Sequence, residues 1–206
     1  MDPAFWNQRY AGDRCVYGEA PNAFVAQMAS HIPPGPVLCL AEGEGRNALH
    51  LAALGHAVTA VDQSEVGLAK ARRRAGARGL VLTTVVADLA AWRIAPAAWA
   101  GIVATFAHLP PELRRQVHAA AAQGLQPGGI FLLEAYTPAQ LRFGTGGPKS
   151  PELLMTLADL RAELAGLQFL VAQEIERDVV EGDGHTGRGA VVQIAARRLG
   201  EHNEMI

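Results

Sequence analysis

The run Val37-Leu38-Cys39-Leu40-Ala41-Glu42-Gly43-Glu44-Gly45-Arg46-Asn47 constrains this chain more than any other stretch. An apolar strand ends there in a glycine-rich turn, and a helix starts directly after it. Such a turn lets a ligand lie against bare backbone at the carboxyl end of a strand. Gly43, Gly45 and Ala48 fit the G-x-G-x-x-G/A spacing of nucleotide-binding loops, and Asp62 follows about 20 residues on. Two carboxylates, Glu42 and Glu44, sit in the same turn.

After residue 35, strand and helix signals alternate. Strands are predicted over 37–41, 57–61, 81–86, 101–106 and 130–134, with helices over 47–54, from Ser64 to about 75, and after Pro110-Pro111. Leu113, Val117 and Ala121 mark the buried stripe of that last helix, and Gly124 ends it. Lys70, Arg72, Arg73 and Arg74 read as a largely outward, solvated face. A further helix is expected over 151–165, with Leu153, Leu157, Leu160 and Leu164 at helical spacing. Two last strands, 169–177 and 190–196, flank the polar segment 181–189 and read as an antiparallel hairpin with a long tip. Successive β-α steps demand a parallel sheet with helices on both faces. The expected fold is α/β: a doubly wound, mostly parallel seven-stranded Rossmann-like sheet ending in an antiparallel hairpin. Three segments are expected: an aromatic-rich cap over 1–35, the sheet domain over 36–200, and a tail over 201–206.

Composition narrows the classes. Half of the 206 residues are hydrophobic, 18% are charged and the net charge is -2, with no Lys/Arg block. This argues against disorder and against nucleic-acid or membrane-surface binding driven by bulk charge. No apolar stretch of about 18 residues suggests a membrane span. The first residues lack the basic and apolar regions of a signal peptide, so a cytoplasmic protein is expected. Cys15 and Cys39 form no disulfide framework, and Cys39 reads as a buried thiol in a strand. The histidines show no metal-ligand spacing, so no metal is expected.

Acids at strand ends select the cofactor. A dinucleotide rests its pyrophosphate on the first helix's N-terminus. Glu42 and Glu44 would set negative charge beside it, at a cost of roughly 1 kcal/mol in water at about 4 Å and more when buried. S-adenosylmethionine carries no phosphate; its sulfonium and ammonium are positive. Asp62 suits a ribose diol, and Asp88, after the third strand, suits an exocyclic amine such as that of adenine. An NAD-dependent oxidoreductase and a non-catalytic binding module are the competing readings.

The chain resembles the class I S-adenosylmethionine-dependent methyltransferases, with Leu125-Gln126-Pro127-Gly128-Gly129 similar to the L-x-P-G-G segment common there. More narrowly, it resembles their tellurite-resistance and thiopurine-type branch. That likeness rests on Phe5-Trp6-Asn7-Gln8-Arg9-Tyr10, Val16-Tyr17-Gly18-Glu19-Ala20-Pro21-Asn22, Glu42 to Ala48, Val58 to Ser64 and His108-Leu109-Pro110. The resemblance implies that Glu42, Gly43 and Gly45 line the methionine end. It implies that Asp62 holds the ribose, Gln63 flanks the adenine, and Asp88 with Leu89 reads the adenine edge. Trp6 and Arg9 would close over the cofactor. Many members carry an acid where Cys39 stands and glycine where Ala41 stands, so Glu42 is expected to take the acidic role.

The acceptor, a small molecule such as a chalcogen oxyanion or a thiol, is expected beside the fourth strand's end, over Thr105, Phe106, Ala107 and His108. Phe106 also counts among the expected cofactor contacts. His108 either touches the acceptor or accepts its proton, or is a histidine hydrogen-bonded in the turn before Pro110. Arg142 and Lys149 flank the loop 144–148, which reads as a lid or as an ordinary solvated loop. A monomer or homodimer is expected.

Overall fold

The computed structural model describes residues 2–200; the expected tail over 201–206 lies outside the described residues. Seven strands form one sheet: β1 (Pro36–Leu40), β2 (Ala57–Asp62), β3 (Leu82–Val86), β4 (Trp99–Thr105), β5 (Leu125–Tyr136), β6 (Leu167–Glu181) and β7 (His185–Arg198). Their order is β3-β2-β1-β4-β5-β7-β6. The first five strands pair in parallel, and β7 runs antiparallel to both β5 and β6. This is the expected α/β Rossmann-like architecture, doubly wound and closed by a C-terminal antiparallel hairpin. The order reverses at β1, between β2 and β4, so the carboxyl end of β1 lies at the crevice where such sheets bind ligands.

The central strands are buried on both faces, which explains their continuous apolar runs. Leu38 and Leu40 of β1 face one core layer, with Ile102, Phe131 and Leu133. Val37 and Cys39 face the other, with Val103, Ile130 and Leu132. Cys39 is a fully buried thiol. Among the described residues, six α-helices accompany the sheet: α1 (Pro3–Arg9), α2 (Ala23–Met28), α3 (Arg46–Ala53), α4 (Glu65–Ala77), α5 (Pro111–Gly124) and α6 (Leu157–Glu163). Ser64 caps α4 by accepting the Gly67 amide at 3.0 Å. No helix among the described residues is long and apolar enough to cross a membrane.

Three sequence expectations are corrected. Lys70 does not face outward with Arg72 and Arg73; it is buried, with its ammonium 2.7 Å from Glu44, and Arg74 also turns in to donate to Glu44 O at 2.9 Å. The expected helix over 151–165 is broken. A 3-10 turn spans Pro151–Leu153, Leu154 and Thr156 are extended, and α6 starts only at Leu157. The break is held by Met155, whose amide donates to Tyr136 O at 3.0 Å, and by Thr156, which caps α6 through the Asp159 amide. The hairpin tip is short rather than long. Pairing continues to Glu181 and His185, so only residues 182–184 turn the chain.

Candidate active site

The turn after β1 is built from left-handed backbone. Ala41, Gly43 and Gly45 have φ of +49°, +58° and +83°. For Ala41 this is the strained region for an L side chain, the kind of departure that clusters at functional sites. It also gives a physical reason why glycine suits this position. A side chain on Gly45 would place its Cβ 2.5 Å from that of Ala71, so this glycine lets α3 and α4 approach. On Gly43 it would meet the Tyr10 hydroxyl at 2.6 Å.

Glu42 points at the helix that follows. Its Oε1 accepts the backbone amides of Asn47 and Ala48, both at 2.8 Å, at the first turn of α3. Burial pushes its carboxyl up to about 7, opposed by those amides and by Arg46. Glu44 turns the other way. It accepts the Val16 amide at 2.8 Å through Oε2 and pairs with Lys70 through Oε1. The second glutamate therefore fastens the N-terminal segment to α4.

Asp62 ends β2 and closes the turn from the far side. Its Oδ2 accepts the Gly43 amide at 2.8 Å and its Oδ1 the Ser64 amide at 2.7 Å. Burial raises its carboxyl above the ordinary range, and these amides counter the rise. Gln63, beside it, is half-buried. Asp88 is exposed and accepts the Ala90 amide at 2.9 Å, while Leu89 is half-buried against the core layer of α5.

The N-terminal segment lies over this turn. Asn7 Oδ1 accepts the Ser64 hydroxyl at 2.7 Å, anchoring α1 at the start of α4. Trp6 stacks on Tyr10 at 5.6 Å, and the Tyr10 ring is buried against Gly43 and Gly67. Arg9 is exposed and donates to the Tyr17 hydroxyl at 2.8 Å.

At the end of β4, Phe106 has φ +51° and its amide donates to Glu134 O at 2.7 Å. Its ring packs between His185 at 4.6 Å and Tyr136 at 4.7 Å. His108 is buried, with Nδ1 2.8 Å from Leu153 O and Nε2 3.4 Å from the Tyr136 amide. A carbonyl partner requires the proton on Nδ1, which leaves Nε2 to accept. Burial lowers His108 to about 4. The expectation of an acceptor contact thus meets a ring whose two nitrogens are both taken by backbone. The loop 144–148 is tied to β7: Thr145 donates to Arg188 O at 2.6 Å, and Gln140 donates to Thr145 and to Gly146 O. Arg142 pairs with Glu176 at 2.9 Å, and Lys149 is exposed.

Beneath Phe106 lies a polar cluster that sequence reasoning missed. Glu134, fully buried, accepts from Asn22, Arg177 and Gln193. Glu181 accepts from Asn22, Arg46 and Arg177. Two arginines and two glutamates so balance in charge. One signal was available in the sequence: a lone Glu134 inside the apolar run Ile130 to Tyr136. Among the described residues, no group of His, Cys, Asp and Glu could hold a metal ion.

Residues 37–129, which include β1 and its turn, match the family model described as a methyltransferase domain. No curated protein matches the sequence. Among solved structures, TehB from Haemophilus influenzae superposes with a TM-score of 0.71 at 23% identity, over 95% of this chain and 66% of that one. The CcbJ methyltransferase from Streptomyces caelestis gives 0.71 at 20% identity, over 96% and 100%. A protein from work on the conversion of a disulfide bond into a thioacetal group during echinomycin biosynthesis gives 0.74 at 23%, over 98% and 91%. At these identities the likeness is one of fold.

Proposed function

We propose that this chain is an S-adenosylmethionine-dependent methyltransferase acting on a small-molecule acceptor, a chalcogen oxyanion or a thiol. The observation that carries the cofactor is the seat of Glu42. Its carboxylate fills the amides at the start of α3, where a dinucleotide's pyrophosphate would otherwise rest. A phosphate there would have to displace a buried carboxylate. A cationic ligand gains from the same group. The matched methyltransferase domain spans this turn.

The residues fit the proposed cofactor in turn. The Asp62 carboxylate accepts the Gly43 and Ser64 amides and, with about four lone-pair sites, keeps capacity for a ribose hydroxyl. Asp88 with Leu89, and Gln63, take the adenine end. Glu42, Gly43 and Gly45 take the methionine end, with Trp6 and Arg9 above. The cofactor supplies an electrophilic methyl group and its leaving group. The chain's own task is to bind, to align the acceptor in line and to exclude water. The resemblance of the motifs to the tellurite-resistance and thiopurine-type branch, and a structural neighbour from work on the conversion of a disulfide bond into a thioacetal group, favour an acceptor built on a chalcogen or sulfur. Methyl turnover measured across tellurite, selenite, a panel of thiols, and carbon and nitrogen nucleophiles tests this; turnover confined to the carbon or nitrogen acceptors would reject it.

A further inference from the structure

We propose that Glu44 and Arg46, the two charged side chains either side of Gly45, tie segment 14–22 and the hairpin tip into one roof that opens as a unit over both ligands of the transfer. The roof stands on geometry alone, while the ligands beneath it rest on the methyltransferase reading above. Glu44 takes the N-terminal half, accepting the Val16 amide at 2.8 Å. Arg46 takes the tip, donating to Glu181. Both residues are buried with their charge partners, Glu44 with Lys70 and Arg46 with Glu181. Lys70 also donates to Arg14 O at 3.1 Å, so the cation that neutralises Glu44 holds the same segment.

The two halves meet backbone to backbone. The Gly184 amide donates to Val16 O at 3.1 Å. Gly18 and Gly182 pack against each other with φ of +74° and +66°, and a Cβ on Gly182 would sit 2.3 Å from Gly18 N and 2.4 Å from Val16 O. No side chain fits in that seam. The Tyr17 ring packs on His185 at 4.5 Å. Asn22, fully buried, adds a side-chain link: its Nδ2 donates to Glu181 Oε1 at 2.9 Å, and its own amide donates to Asn47 Oδ1 at 2.9 Å. Parting the seam strips the Gly184 amide and both rings of their partners, and buried polar groups left bare cost stability. With one half lifted, the other loses the seam and keeps only its anchor to the glycine turn. Each half thus stabilises the closed position of the other, which makes the pair a cooperative opening unit.

The roof spans both proposed places. Towards the cofactor, Tyr10 is buried against Gly43, and Trp6 stacks on Tyr10. Towards the acceptor, the His185 ring lies 4.6 Å from Phe106, which follows β4. A ligand that favours the closed position of one half therefore favours it for the other. Such coupling is reciprocal: the cofactor raises affinity for the acceptor by the factor by which the acceptor raises affinity for the cofactor. Closure then shuts water out from both ligands in one step, and one opening releases both products. Glu44 and Arg46 act here as positioning residues, through the segments that they hold.

The test is amide hydrogen exchange on the whole 15N-labelled chain, followed by NMR with and without S-adenosylhomocysteine. Protection is read at Val16 and Gly184, with Leu132, fully buried in the middle of β5, as the reference for global unfolding. In the free chain, Val16 and Gly184 should share one protection factor to within about threefold, well below that of Leu132. Saturating S-adenosylhomocysteine should raise both by the same factor, about tenfold or more. Arg46→Met should lower both alike in the free chain, although the Arg46 side chain bonds the tip and not Val16. Three results overturn the proposal: free-chain values that differ by more than this or equal that of Leu132, ligand protection confined to Val16, and a loss in Arg46→Met confined to Gly184. If Arg46→Met does not fold, the wild-type comparison decides. Calorimetry runs in parallel. Failure to bind S-adenosylhomocysteine there counts against the cofactor reading, and the free-chain comparison still decides whether the roof is one unit.

Discussion

Asp62 accepts the backbone amide of Gly43 at 2.8 Å, tying the end of β2 to the glycine turn after β1. The same carboxylate takes the Ser64 amide at the cap of α4. One acid thus fixes the relative position of a turn and a helix start, and faces the proposed ribose.

Asp62→Ala should weaken S-adenosylhomocysteine binding by roughly 1 to 3 kcal/mol, the loss of hydrogen bonds to a charged group. Isothermal titration calorimetry on both proteins reads this directly. Equal affinities would show that the ribose sits elsewhere.

Glu42 predicts a pH dependence. Its folded carboxyl lies near 7, above the ordinary 4.5, chiefly through burial. The folded state therefore binds this proton more tightly than the unfolded state. The stability this contributes is full below pH 4.5 and is lost as pH rises through about 7. Glu42→Gln keeps an oxygen for the two amides and removes the titration. Relative to wild type, the variant should gain stability between pH 4.5 and 7.5, by roughly 1 to 3 kcal/mol at the upper end. Urea unfolding across this range checks it, and parallel profiles would contradict the buried acid.

The Lys70–Glu44 pair is 2.7 Å long with both side chains nearly fully buried. Removing one partner strands the other charge, which typically costs about 3 to 5 kcal/mol. Lys70→Ala should show that loss in urea unfolding. It should also speed proteolysis within residues 11–21, because Glu44 holds the Val16 amide. Replacing both with apolar residues should cost much less stability than Lys70→Ala alone.

Gly45→Ala should destabilise the fold by roughly 1 to 3 kcal/mol, through a left-handed backbone and a clash with Ala71. A midpoint in urea equal to wild type would show that α3 and α4 can separate at no cost.

Much of the fold was legible because apolar runs and turn residues agree. The strands from Val37, Ala57 and Ile130 follow from continuous buried hydrophobics, and Ser64 from its capping position. The helix over 151–165 misled because leucine spacing cannot reveal that Met155 pairs with Tyr136 across the molecule. Lys70 misled because its partner lies 26 residues away, in a turn whose second glutamate looked available to ligand. The short hairpin tip was hidden for a related reason. Glycines and polar residues from 181 to 189 read as a loop, whereas long-range pairing extends both strands to the tip. The site's central acids were legible, but their partners were not, since Glu42 turns onto its own helix only in three dimensions.

The most direct test of the cofactor is a paired calorimetric titration of the whole chain with S-adenosylhomocysteine and with NAD. With Glu42 seated on the amides of Asn47 and Ala48, S-adenosylhomocysteine should bind with micromolar affinity and NAD should give no heat of binding. Micromolar binding of NAD with none of S-adenosylhomocysteine would contradict it.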